Sequence, residues 1–252
     1  MKTLFLGSGY TGNYFRYLYP YSIHSSRSKD KINKHGGGVI FDANRPDTWE
    51  SIGHIKADAV IISFPLDECN CLEELNSFLF EKKLPILVIG TTSAFLPSPE
   101  GEIYDDSPLN TLLARNKAEE LFRKKGASVI YSAGIYGKGR NPVDWLRKGY
   151  IKNSALTVNL IHAEDLARAC NFILENFSES QRYLISDNHP QKWADIINFA
   201  VKKKYITAPN ISSDKTQKGK IVKPEKIFEM GFNLRHPDIF EEIQFLESLD
   251  KM

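Results

Sequence analysis

Leu4-Phe5-Leu6-Gly7-Ser8-Gly9-Tyr10-Thr11-Gly12 is the stretch on which the fold turns. Three apolar residues that read as the end of a buried strand run directly into a Gly-x-Gly-x-x-Gly turn, and a helical segment follows. Gly7 permits the tight reversal, Gly9 lets the backbone approach a pyrophosphate, and Gly12 lets the helix pack on the strand. The free N–H groups and the dipole at the start of that helix favour negative charge there. Tyr10 and Thr11, in its first turn, join the expected contacts. A glycine-rich turn also occurs as a purely structural device, but this one sits at a strand-to-helix junction, which favours the dinucleotide reading.

Outward from the turn, short apolar runs alternate with segments of helical period, the pattern of a parallel sheet covered on both faces. The expected strands are Lys2 to Leu6, Tyr21 to Ser25, Gly38 to Asp42, Ala59 to Ser63, Ile86 to Gly90, Ser128 to Ser132 and Arg182 to Ser186. Helices are expected at Glu68 to Lys82, Leu109 to Lys125, Ala163 to Asn176, Trp193 to Lys203 and Ile239 to Leu249. This order predicts an α/β Rossmann fold, a doubly wound parallel sheet with its ligand crevice at the carboxyl ends of the strands. A smaller C-terminal substrate lobe accompanies it. Residues 1–136 and 158–186 form the expected dinucleotide-binding core, and 137–157 and 187–252 the lobe, within one unit spanning 1–252.

The composition agrees with a globular chain: 252 residues, 42% apolar and 25% charged. Lys plus Arg (33) nearly balances Asp plus Glu (31), so no field argues for nucleic acid or an anionic membrane as partner. Lys202-Lys203-Lys204 reads as the solvated end of a helix. No signal-peptide pattern opens the sequence, and no stretch approaches the roughly 20 apolar residues of a membrane span. Cys69, Cys71 and Cys170 cannot all pair, and Cys69-x-Cys71 lacks the second pair of ligands of a structural zinc site. These features predict a soluble cytoplasmic protein with reduced thiols. The six histidines are scattered without a ligand spacing, so no metal site is expected.

The end of the second strand speaks to the cofactor. A NAD site places Asp or Glu about 20 residues after the turn, to accept from the ribose hydroxyls. Here the sequence is Ile23-His24-Ser25-Ser26-Arg27-Ser28-Lys29. Hydroxyls and cations suit a 2′-phosphate, with Arg27 as the fork and Ser25, Ser26 or Lys29 in support, which favours NADP(H). NAD remains the alternative, through Asp30. Asp42, after the third strand, is placed to touch the adenine edge or to cap the segment that follows. Ser63-Phe64-Pro65 would lie against the adenosine.

Taken together, these motifs resemble atypical members of the extended short-chain dehydrogenase/reductase superfamily, the NAD-dependent epimerase/dehydratase-like proteins. The likeness rests on the Gly7 to Gly12 turn, Asp42, Thr91-Thr92-Ser93, Asn116-Lys117-Ala118-Glu119, Ala133 to Arg140, Asn159 to Ala167 and Lys218 to Asp238, and it covers nearly the whole chain. Active members use a Ser or Thr, a Tyr and a Lys four residues after that Tyr. The resemblance puts Thr92 at the first position, beside Ser93, and Lys117 at the last, where it would also hold the ribose next to Thr91. The tyrosine position is Leu113.

Leucine has no ionisable proton, so the family's acid/base step cannot run from that position. Tyr136, Tyr104, His162 or a water are the other proton sources the resemblance offers. Tyr136 also corresponds to a loop aromatic on the nicotinamide side, and His162 to a packed residue capping the next helix. On the substrate side stand Ser93, Tyr136, Lys138 and Arg140, whose cations would pair with a carboxylate or phosphate, with Lys218 and Lys220 closing over it. Solvent-facing cations on loops are an equally good reading of these four cations. Two functions follow: an NADP(H)-dependent oxidoreductase or epimerase-like enzyme on a small polar or sugar-linked substrate, or a non-catalytic dinucleotide-binding sensor. Both a monomer and a homodimer through the Glu68 to Lys82 and Leu109 to Lys125 helices fit the fold.

Overall fold

Thr3–Leu6 is buried at every position, as expected of a strand covered on both faces. The computed structural model describes residues 1–34, 37–216 and 219–249. In chain order its first elements are β1 (Thr3–Leu6), α1 (Tyr10–Leu18), β2 (Ile23–Ser26), α2 (Lys29–Lys34), β3 (Val39–Ile40), α3 (Glu50–Gly53), β4 (Ala59–Ile62), α4 (Leu72–Phe80), β5 (Ile86–Thr91), β6 (Glu102–Ile103), α5 (Ala114–Lys124) and β7 (Ser128–Ser132). Then come β8 (Gly134–Tyr136), α6 (Pro142–Arg147), β9 (Thr157–Val158), β10 (Leu160–His162), α7 (Ala163–Glu175), β11 (Arg182–Ile185), β12 (Gln191–Lys192), α8 (Trp193–Lys202), β13 (Ile221–Val222), α9 (Glu225–Glu229) and α10 (Ile239–Leu249). The chain divides into two compact units: Met1–Phe95, Pro108–Tyr131 and Ala167–Tyr183 form the first, and Leu96–Ser107, Ser132–Leu166 and Leu184–Met252 the second.

Seven strands make the central sheet, in the order β11-β7-β5-β4-β1-β2-β3. β1 pairs in parallel with β2 on one side and β4 on the other, so the order reverses between β1 and β4. Doubly wound sheets bind ligands outside the carboxyl ends of the strands at such a reversal. Phe5 packs against Phe15 of α1, ring centroids 5.2 Å apart. A Cβ on Gly12 would stand 3.1 Å from the Phe5 ring, which is why the third glycine of the turn is needed.

Two expected helices begin later than their sequence suggests. Residues 66–68 form a single 3-10 turn and α4 starts at Leu72, because Asn44 holds the intervening loop: its Nδ2 donates to Glu68 O (3.0 Å) and its Oδ1 accepts from Asn70 N (2.6 Å). The helix expected from Leu109 starts at Ala114. Leu109 bridges to Phe95, and Asn110 to Leu113 form a turn in which Asn110 Oδ1 accepts from Leu112 N (3.1 Å). The third strand is confined to Val39–Ile40. Ser128–Ser132 and Ile239–Leu249 coincide with their expected ranges.

Packing inside the first unit is tight around β5. A Cβ on Gly90 would lie 2.7 Å from Tyr131 Cδ1 and 2.9 Å from Cε1. Gly90→Ala is therefore expected to destabilise the protein by about 2 kcal/mol through overpacking, read as a fall in the urea midpoint without a change in slope. In the second unit, β8 pairs with β10 in parallel, and Tyr136, Leu146, Leu160, Trp193, Ile196 and Ile243 belong to its core. Glu247 of α10 is buried there, and its carboxylate accepts from Asn141 Nδ2 (2.7 Å) and Arg147 Nη2 (2.6 Å), tying α6 to α10. Among the described residues, no helix is long and apolar enough to cross a membrane.

Candidate functional site

The glycine turn is held by side chains of both neighbouring strands. Gly7 N donates to Ser25 Oγ (3.2 Å), Gly7 O accepts from Ser63 Oγ (2.5 Å), and Ser8 N donates to Ser25 O (3.0 Å). Beneath it the buried ring of His24 links Ser8 Oγ (3.0 Å) to Ser22 Oγ (2.7 Å). Gly7 has φ +92°, in the left-handed region that glycine tolerates, and a Cβ would lie 3.1 Å from Ser63 Oγ and from Phe64 Cδ1. Gly9 is different. It is the residue before α1, extended at φ −106°, and a Cβ would meet nothing nearer than Gly7 O at 3.9 Å. No side chain caps α1, which leaves the N–H groups of its first turn without a side-chain partner from the cap residue.

A cleft of about 500 Å³ opens there, walled by Gly7, Ser8 and Gly9 at one end. Ser26, Arg27, Ser28 and Lys31 reach the cleft from the end of β2 and the start of α2, Phe41 and Asp42 from the end of β3, and Ser63, Phe64 and Pro65 from the end of β4. Phe41 and Phe64 lie with ring centroids 6.2 Å apart, an apolar wall suited to a flat base. Asp42 Oδ1 accepts from Asn44 N (3.0 Å), and the Asp42 carbonyl accepts from Trp49 Nε1 (2.9 Å), so this aspartate orders the following loop while lining the cleft. A glycine turn leading into a helix, an apolar wall and a cationic stretch thus share one cleft, a combination suited to a phosphorylated dinucleotide.

The structure sorts the residues singled out in the sequence. Gly7, Gly9, Ser26, Arg27, Asp42, Ser63, Phe64 and Pro65 share the cleft, whereas Tyr10, Thr11, Gly12, Thr91 and Lys117 are not among its lining residues. Tyr10 packs edge-on against Tyr14 at 5.5 Å, and Thr91 Oγ1 accepts from Ser93 N (3.4 Å), capping a 3-10 turn that contains Thr92. Ser25 is buried with its hydroxyl committed to Gly7, so the support for Arg27 comes from Ser26, Ser28 and Lys31. Neither Lys29 nor Asp30 lines the cleft. Lys31 is the cation the sequence reading missed, and Phe41, Asn44 and Glu68 line the cleft without having been expected there. Lys31 lies in the first turn of α2, just after the bend that carries Arg27, and both line the cleft.

Leu113 sits just before the first residue of α5, partly exposed, with Lys117 one turn later on an exposed face. Tyr136 is fully buried, and burial raises its phenol above the ordinary range. Lys138 and Arg140 are exposed on a turn closed by Arg140 N donating to Gly137 O (2.9 Å). Tyr104 donates to Glu102 Oε2 (2.5 Å). Lys218 lies outside the described residues, and the Lys220 carbonyl accepts from Asn159 Nδ2 (2.7 Å).

One cluster was not legible in the sequence. His162, His236 and Glu242 bring potential ligand atoms within 4.8 Å of one another. The two imidazoles, however, stack with centroids 3.9 Å apart. Two histidines radiating tetrahedrally from zinc at about 2.1 Å would hold their ring centres about 5 Å apart. His236 instead bridges two carboxylates: Nδ1 lies 2.7 Å from Glu242 and Nε2 3.4 Å from Glu164. His162, stacked against it and edge-on to Tyr136 at 5.3 Å, caps α7 by accepting from Glu164 N (3.3 Å). Burial pushes the His162 imidazole down to about 4, aided by the neighbouring His236. Asp187, also buried, is pushed up to about 7 although its carboxylate accepts from His189 N (3.0 Å).

No family model matches the chain. Protein YeeZ of Escherichia coli strain K12 is 24% identical over 202 residues, 73% of each chain. An NAD-dependent epimerase/dehydratase candidate of Methylobacillus flagellatus superposes with a TM-score of 0.80 at 20% identity, covering 100% of this chain and 99% of that one. The human epimerase family protein SDR39U1, determined with NADPH, gives 0.75 at 15% identity, covering 98% and 99%. In fold, the chain is a doubly wound Rossmann α/β protein, the architecture these neighbours share over their whole length.

Proposed function

We propose that the protein binds NADP(H) in the cleft at the glycine turn and works as an oxidoreductase or epimerase-like enzyme on a small polar or sugar-linked substrate. One observation carries the cofactor part: Ser26, Arg27, Ser28 and Lys31 line the end of the cleft where a NAD site would place a carboxylate. A guanidinium and an ammonium there would meet a 2′-phosphate with charge-assisted hydrogen bonds, Arg27 as a two-pronged donor and Lys31 as a point charge. The nicotinamide ring, when bound, supplies hydride exchange; the protein supplies position. Gly7 to Gly9 and the start of α1 would hold the pyrophosphate, and Phe41 and Phe64 the adenine. Thr92 would orient a substrate oxygen. The fold neighbours support this reading, since one was determined with NADPH and another is described as NAD-dependent.

Leu113 favours a second reading, a dinucleotide-responsive sensor without chemistry. Isothermal titration with NADPH, NADP⁺, NADH and NAD⁺ tests both. Arg27→Ala is expected to weaken NADPH about tenfold or more, as loss of a charged hydrogen bond implies, with a much smaller effect on NADH. Equal loss for the two would remove the 2′-phosphate assignment, and failure of every dinucleotide to bind would overturn both readings. Turnover of a carbonyl or sugar-nucleotide panel by a protein that binds NADPH would then separate enzyme from sensor.

A further inference from the structure

We infer that the outer face of α5 carries a second binding site, for a small organic anion with an apolar body. A groove of about 560 Å³ runs along this helix within the first unit and shares no lining residue with the dinucleotide cleft. Its volume lies in the ordinary range of ligand sites. Pro108, Leu109 and Leu121 supply apolar surface, and Lys117, Lys124 and Arg182 bring positive charge. Glu120, the one acid in the groove, is already engaged with Arg123 (2.7 Å) and Arg182 (3.1 Å). Lys117 and Lys124 are exposed and have no ion-pair partner among the described residues. The groove therefore keeps a net positive charge over an apolar surface.

A polar group inside it also lacks a partner. Asn116 is buried at 2% exposure and lines the groove. Its Nδ2 donates to Ala94 O (2.8 Å) and Asn110 O (2.7 Å), while Oδ1 has no hydrogen bond. A carboxylate or sulfonate carries no proton for that oxygen, so the head group of the ligand belongs to the ammonium groups and its body to the apolar wall. Seven residues separate Lys117 from Lys124, about 10 Å along the helix axis. An acyl chain of about eight carbons or a fused aromatic pair spans that length and leaves its acidic head at one lysine. Inorganic anions lack the apolar body, and neutral hydrocarbons leave both ammonium groups unused.

The site stands or falls independently of the dinucleotide reading. The test uses the full chain and 8-anilinonaphthalene-1-sulfonate as the fluorescent probe, with and without saturating NADPH, and octanoate and octanol as competitors. One probe per chain is expected, insensitive to NADPH and displaced by octanoate at least tenfold more effectively than by octanol. Leu121→Asp should weaken the probe at least tenfold, and Lys124→Glu about threefold to tenfold, with unchanged far-ultraviolet circular dichroism. Lys124 is exposed, so its variant keeps the test valid if Leu121→Asp disturbs folding. Probe binding lost on adding NADPH, unaltered in Lys124→Glu, or displaced equally by octanol would overturn the assignment, as would no binding at all.

Discussion

Gly9→Val is expected to leave the melting temperature within about 2 °C of the parent while reducing NADPH affinity at least about 100-fold, a loss of about 2.7 kcal/mol. The expectation follows from the difference between two glycines of one turn. Gly9 is extended, and the space a side chain would enter is open until Gly7 O at 3.9 Å, so the free protein accommodates the substitution. In the proposed complex that same space is where a pyrophosphate would approach the start of α1. Gly7→Ala should behave in the opposite way. Its positive φ and the 3.1 Å approach to Ser63 and Phe64 penalise folding itself. Isothermal titration and thermal melts on the two variants form a matched pair. A Gly9→Val protein that bound NADPH normally would remove the turn from the site.

The second large effect is a pair of opposed pH dependences in the second unit. Between pH 6.5 and about 4 the unfolded chain takes up a proton at His162 that the folded protein refuses, so this residue costs stability as pH falls. At Asp187 the order is reversed. Between pH 3.8 and about 7 the folded protein keeps a proton the unfolded chain has released, so this residue costs stability as pH rises. Each can contribute at most about 1.4 kcal/mol per pH unit inside its window. Asp187→Asn keeps the acceptor for His189 N and should gain about 3 kcal/mol relative to the parent between pH 4 and pH 7.5. His162→Gln should gain a similar amount on going from pH 7 to pH 4. Urea melts at those values supply the differences, and a mutant-minus-parent difference that does not vary with pH would contradict the burial argument at that residue.

The sheet was legible because each central strand is a run of apolar residues ended by Gly, Ser or Pro, as in Ala59-Val60-Ile61-Ile62 before Ser63-Phe64-Pro65. Helix starts were less so. Periodicity extends through Leu109, Leu112 and Leu113, but the Leu109 bridge and the Asn110 turn use that segment before α5 begins. Most of one wall of the cleft was readable from Arg27, Ser63 and the glycines, since local spacing carries it. Asn44 was not: its partners lie at Glu68 and Asn70, and only the folded loop brings them together. The His162–His236 stack joins residues 74 positions apart in chain numbering, with no shared motif to announce it. Ser25 was misjudged for a related reason. A serine at a strand end looks the same in sequence whether its hydroxyl faces a ligand or, as here, the turn's own backbone.

That backbone attachment bears on when the cleft comes into being. The amide and carbonyl of Gly7 are both tied to hydroxyls, one 18 and the other 56 residues further along the chain. A nascent chain emerging from the ribosome therefore cannot set the turn until β4 has joined β1, and the recognition loop matures with the sheet rather than ahead of it. Opening the turn alone in the finished protein would break its bonds to the Ser25 and Ser63 hydroxyls, so its amides should exchange with solvent on the timescale of the sheet and not of an ordinary surface loop.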